Sequence, residues 1–274
     1  MRNFLILSLI FVFAGCAKQE TAVLKEYEDE AYLGFKFVPG KSVRYKQTQK
    51  TATTIEAKEI VQTINFNTEI RTTQTVEDTG EAISLQISFD DVVGTMRVSD
   101  KIEPVKALDE LKGIIVSFKL SRDGKISQLK GLEGIDYFRK SGEKPEHLFE
   151  EEFSFLPNKV VRIGESWTKK FEDKTATYTL KGFEERNGRT CAMIEVKSEI
   201  ETIKFTEQQG MKSKIKITGE GKSKIFFDIE EGIIVESKGK ASLEGEQEIS
   251  GTMFPEPISV PIYIDEDTYI TLIK

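Results

Sequence analysis

Histidine is all but missing from this chain. Its 274 residues hold one His, one Trp and two Cys. With His147 as the single imidazole, a Ser–His–Asp triad has one base to use. No G-x-S-x-G nucleophile turn, P-loop or G-x-G-x-x-G phosphate loop occurs in the sequence. Zinc centres need clustered Cys and His, which this composition does not supply, and His147, between Glu146 and Glu150, reads as a solvated surface position. A basic surplus is missing too. Lys and Arg number 39 against 46 Asp and Glu, for a net charge of −7. Both signs are mixed along the chain, which speaks against a nucleic-acid partner. The longest apolar run, FLILSLIFVF at residues 4–13, is about half of the ~20 residues that a membrane-spanning helix needs.

Carboxylates are the abundant chemical group, and that abundance makes pairs of them uninformative. Glu150-Glu151-Glu152, Asp90-Asp91 and Asp265-Glu266-Asp267 lack the spaced oxygens and the glycine of an EF-hand loop. They read as solvated charge. No metal site, cofactor or catalytic residue is assigned, and the chain is expected not to be an enzyme. A two-carboxylate glycan hydrolase is the least favoured reading.

What the sequence does have is a period of two. Between Ile60 and Val76 the apolar positions Ile60, Ile64, Phe66, Ile70 and Val76 share one parity. Ile83, Leu85, Ile87 and Phe89 follow, then Val116, Phe118 and Leu120, then Ala192, Ile194, Val196 and Ile200, then Ile215, Ile217, Ile225 and Phe227. One-sided alternation of this kind marks antiparallel strands with one wet face. Asp78-Thr79-Gly80, Asp123-Gly124, Asn187-Gly188 and Glu231-Gly232 punctuate the strands as hairpin turns. The predicted fold is all-β and mainly antiparallel, with bent, half-barrel-like sheets, because strands this long must twist.

The turn glycines recur. Gly80 and Gly124 in the first part match Gly188 and Gly232 in the second at the same offset, and PGKSVRY (39–45) resembles IGESWTK (163–169). The expected organisation is a leader at 1–15, a tether at 16–32, a first β-rich half at 33–130, a helical connector at 131–157 and a second β-rich half at 158–274. Helical signal is confined to Glu103–Lys112, with Pro104 near its start and Gly113 at its end, and to EKPEHLFEEEFSFLP, where Pro145 suits a first turn and Pro157 ends the run. Leu148, Phe149 and Phe153 are expected to pack on a sheet face. Trp167 reads as a core or rim anchor, and Cys191 as a thiol on or near the core.

The N-terminus carries the clearest signal. Arg2, the apolar run, the small residues Ala14-Gly15 and then Cys16 form the pattern of a secretory signal. Phe13-Ala14-Gly15-Cys16 resembles the lipobox of bacterial lipoproteins, with Phe13 where Leu is usual. The resemblance implies cleavage before Cys16, a diacylglyceryl thioether and an acylated amine on it, and membrane attachment through that lipid. Two or three acyl chains would anchor far more firmly than one. Cys191 would then have no partner for an internal disulfide. Ala17 after the Cys implies the outer membrane in a host that has one.

A second resemblance runs through Phe37–Tyr45, Leu156–Trp167, Gly219–Lys222 and Phe226–Gly232. These stretches resemble a β-rich family of bacterial envelope lipoproteins of unknown function, and the halves are similar in style to the bent half-barrels of periplasmic lipid and lipoprotein carriers. Together they imply a non-enzymatic envelope lipoprotein. Its expected partner is a hydrophobic ligand held in an apolar groove between the curved sheet and the 131–156 helices. The alternative is a scaffold that acts through contacts with an envelope protein.

Overall fold

A computed structural model describes residues 29–57, 60–121, 124–135, 145–208, 211–251 and 256–273. The expected leader, Cys16, most of the expected tether and Asp123 lie outside the described residues, as do the side chains of His147 and Leu148.

Strands dominate. In chain order they are β1 (Glu30–Leu33), β2 (Ser42–Ala57), β3 (Ile60–Thr79), β4 (Ile83–Val98), β5 (Lys101–Pro104), β6 (Ile115–Leu120), β7 (Ile126–Lys130), β8 (Lys159–Arg162), β9 (Ser166–Lys170), β10 (Lys174–Arg186), β11 (Arg189–Gln208), β12 (Met211–Asp228), β13 (Ile233–Gly251) and β14 (Ile258–Ile273). Two short helices, α1 (Lys106–Asp109) and α2 (His147–Ser154), are the helical content among the described residues. The fold is mainly antiparallel β, as the alternation predicts. The run read from Ile60 to Val76 continues to Thr79 as a strand of 20 residues.

One 12-stranded sheet runs β7-β6-β4-β3-β2-β14-β13-β12-β11-β10-β9, with β5 paired to β4, and β1 and β8 form a separate ribbon. Strands from residues 33–130 and from 158–274 lie in this one sheet because β14 pairs with β2, from Ile262 opposite Ile55 to Ile273 opposite Arg44. The Asn187-Gly188 hairpin has both residues at positive φ, +53° and +73°, the backbone of a two-residue type I′ turn.

The sheet is bent, and α2 shows by how much. Glu151 pairs with Lys174 of β10, and Glu152 accepts a 2.6 Å hydrogen bond from Gln74 Nε2 of β3. β10 and β3 are six strand steps apart in the sheet order. On a flat sheet that is about 29 Å, whereas an eight-residue helix is only about 12 Å long. Consecutive side chains of α2 reach both strands because the sheet curls around it. The face toward α2 is the inner face.

Phe35, in the segment between β1 and β2, packs against two of the hydrophobic clusters. Its ring centroid lies 5.6–5.8 Å from those of Phe37, Phe153, Phe155 and Phe227. The same segment straps the β12–β13 turn. Lys36 Nζ donates to the carbonyls of Ile229 and Glu230, and Lys41 pairs with Glu231. Gly94 has no Cβ because α1 lies against it. A Cβ there would collide with Leu108.

Candidate functional site

The inner face has two regions. Around α2 it is filled. Phe149, Phe153, Phe155 and Leu156 are buried among Val116, Phe118, Tyr178 and Leu180. Phe118 stacks on Phe149 at 5.2 Å. Trp167 is half-buried, stacks on Tyr178 at 5.6 Å and donates from Nε1 to the Phe155 carbonyl at 2.7 Å. The expected apolar groove between α2 and the sheet is therefore packed with aromatic rings, and Trp167 serves as a packing anchor.

The acidic run in α2 departs from the sequence reading. Glu151 and Glu152 are not solvated charges. Phe149, Glu152 and Phe153 are spaced at i, i+3 and i+4, which puts Glu152 on the apolar face of the helix. Burial pushes its carboxyl up to about 6, against the opposing hydrogen bond from Gln74. The Tyr45 phenol nearby is raised by burial and then by the Glu152 carboxylate.

A folded-state value above the ordinary 4.5 means that the folded chain holds this proton more tightly than the unfolded one. The resulting stabilisation is complete below pH 4.5 and is lost as the pH rises through 6. Glu152→Gln is expected to raise stability at pH 7.5 by about 1–2 kcal/mol, while changing it little at pH 4.5. Thermal unfolding of both proteins at the two pH values checks this, and equal shifts at both would refute it.

Farther along the strands the inner face is buried as well, but its cluster is made of strand residues. Ile200, Ile215, Ile217, Ala241, Leu243, Ile262 and Ile264 form a cluster with Ile55 packed against it. Every member comes from β2 or from β11–β14, so among the described residues no helix contributes to it. Between this patch and the α2 region the same face carries a polar band: Ser223, Thr268, Gln49 and Glu266, all buried. Thr268 Oγ1 donates to Glu266 at 3.3 Å. Among the described residues the Ser223 and Ser237 hydroxyls and Gln47 Nε2 are buried without a hydrogen-bond partner.

The outer face is charged. It carries a cleft of about 870 Å3 that crosses β12, β13, β14, β2, β3 and β4. Register gives its two walls. One is the row Lys222–Lys240–Asp267–Lys50–Asn67, and the other is Glu220–Ser242–Asp265–Ala52–Asn65–Arg97, each residue opposite the next on the neighbouring strand. Asp265 and Asp267 stand outward here while Glu266 is buried on the inner face, so the acidic run is split by the alternation of the strand.

Cys191 is fully buried in a small outer-face cluster with Phe226 and Val235. Its thiol is pushed up to about 12, chiefly by burial, which leaves no thiolate for attack near neutral pH. Among the described residues no three of His, Cys, Asp and Glu group as a metal site, and no helix is long and apolar enough to cross a membrane.

No curated protein matches this chain. Among solved structures it is similar to one of lipovitellin, described for its lipid–protein interactions, with 14% identity and a TM-score of 0.45. That likeness covers 87% of this chain and 26% of the lipovitellin chain, so this chain spans about a quarter of that protein. It is also similar to a DUF1329 family protein from Desulfovibrio piger, with 10% identity and a TM-score of 0.15 over 83% of this chain and 85% of that one. Residues 140–234, from before α2 into the start of β13, match a family of unknown function, DUF6263.

Proposed function

We propose that this chain is a lipid-anchored, non-enzymatic lipoprotein of the bacterial envelope that holds a hydrophobic ligand on the inner face of its curled sheet. The observation that carries the reading is the branched apolar patch on β2 and β11–β14, whose members are all strand residues. Buried apolar surface is the main source of ligand affinity in such a site. The polar band of Gln49, Thr268 and Glu266 beside it suits the polar end of an amphiphile. The α2 region fits as the closed end of the trough, since its aromatic rings fill the space between the walls. The anchor at Cys16 and the envelope location come from the lipobox resemblance.

The ligand is an acyl chain or a molecule of similar shape. Purified full-length protein in a non-ionic detergent is expected to bind a dansyl-labelled undecanoic acid saturably, with the blue shift of an apolar environment. Leu243→Glu should weaken that binding at least tenfold, because it places a charge within the patch. Phe205→Ser is the control, since Phe205 is 70% exposed and outside the patch. Binding that is absent, or that Phe205→Ser weakens as much, would refute the reading. A scaffold role would instead show as a stable protein partner on cross-linking.

A further inference from the structure

One wall of the outer-face cleft gathers basic side chains. Lys222 lies directly opposite Lys240, and Lys197 directly opposite Lys222, so three lysines on adjacent strands stand side by side. Like charges facing each other across strands are destabilising, and Asp267 is the one carboxylate in that row. It is taken by Lys240 at 2.9 Å. On the other wall Asp265 accepts a 2.7 Å hydrogen bond from Ser242 Oγ. Among the described residues Lys50, Lys222 and Arg97 make no ion pair, and on the outer face of the cleft the carboxylates without one are Glu220 and Asp265, both on the wall opposite Lys222 and Lys50.

We infer that this cleft binds a molecule carrying two or more phosphate-type anions, with Lys222, Lys50 and Arg97 as its anchoring cations. Lys222 and Lys50 are three strand steps apart, roughly 14 Å along the cleft. A single small anion does not span that distance, whereas several linked or clustered phosphates do. The site lies on the face opposite the apolar patch, so it does not depend on the hydrophobic-ligand reading. The phosphates could belong to lipid headgroups or to a free phosphate chain.

The test uses full-length protein with two probes. One is linear tripolyphosphate, followed by calorimetry. The other is sucrose-loaded vesicles of phosphatidylglycerol and phosphatidylcholine at 1:3, with sucrose-loaded pure phosphatidylcholine vesicles as the blank, scored by whether they sediment light phosphatidylcholine vesicles that carry the protein facing outward. Lys50→Gln/Lys222→Gln should weaken binding at least tenfold, with the melting temperature unchanged or raised. Lys212→Gln/Lys216→Gln, also exposed on β12 but outside the cleft, should keep binding within twofold. Loss confined to tripolyphosphate assigns free phosphates, and loss confined to the anionic vesicles assigns lipid headgroups. Either supports the site. Binding absent from both arms, or weakened equally by the control pair, overturns it.

Discussion

Replacing Phe153 by alanine is expected to cost about 3–5 kcal/mol of folding stability, the range for removing a large buried aromatic. The ring is 5% exposed. It meets Phe35 at 5.8 Å, Phe118 at 5.7 Å and Phe37 at 6.4 Å, so it touches the sheet and the β1–β2 segment together. Three partners on two separate elements leave little chance that the site collapses to fill the void. Urea unfolding measures the loss. A midpoint close to that of the wild type would mean that α2 is not a structural wedge. Phe205→Ala is the contrast. At 70% exposure it is expected to change stability by no more than about 0.5 kcal/mol.

Breaking the Lys174–Glu151 pair should be nearly as damaging. The Lys174 side chain is 5% exposed and that of Glu151 is 17% exposed, so the pair is largely withdrawn from water. Lys174→Ala takes the ammonium away from a carboxylate beside Tyr178, and loss of one partner from a buried pair typically costs about 3–5 kcal/mol. The double substitution Lys174→Met/Glu151→Leu removes both charges and keeps the volume. It is expected to lie within about 1.5 kcal/mol of the wild type. Equal costs for the single and the double variant would show that packing, not charge, matters at this corner. If Lys174→Ala were harmless, the pair would not be what ties α2 to β10.

Local pattern accounts for much of this architecture. The parity of Ile60, Ile64, Phe66 and Ile70 predicts β3, and Asn187-Gly188 predicts its hairpin, because side-chain alternation and positive φ are properties of a few neighbouring residues. The pairing of β14 with β2 joins residues more than 200 apart, and nothing in either stretch names the other. Strand length predicts a bent sheet, but the extent of the bend shows only in the structure, where Glu151 and Glu152 reach opposite arms of the sheet.

The same limit applies to the sites. Helical spacing around Phe149 and Phe153 was enough to place Glu152 on the buried face, a signal that the density of carboxylates obscured. The lysine row was not recoverable. Lys197, Lys222 and Lys240 come from three strands, and a slip of one residue in either pairing would send a side chain to the other face. Cys16 stands apart, because its reading rests on the sequence around it and lies outside the described residues.

A hydrophobic ligand held on the inner face of the sheet, beyond α2, is open to direct chemical capture. Photo-cross-linking with a diazirine-bearing fatty acid, followed by peptide mapping, tests it most directly. Adducts are expected on the β11–β14 patch, at residues such as Ile217, Leu243 and Ile264, with competition by unlabelled fatty acid. Adducts confined to the exposed positions Ile60, Val61 and Phe205, or labelling that unlabelled fatty acid does not reduce, would contradict it.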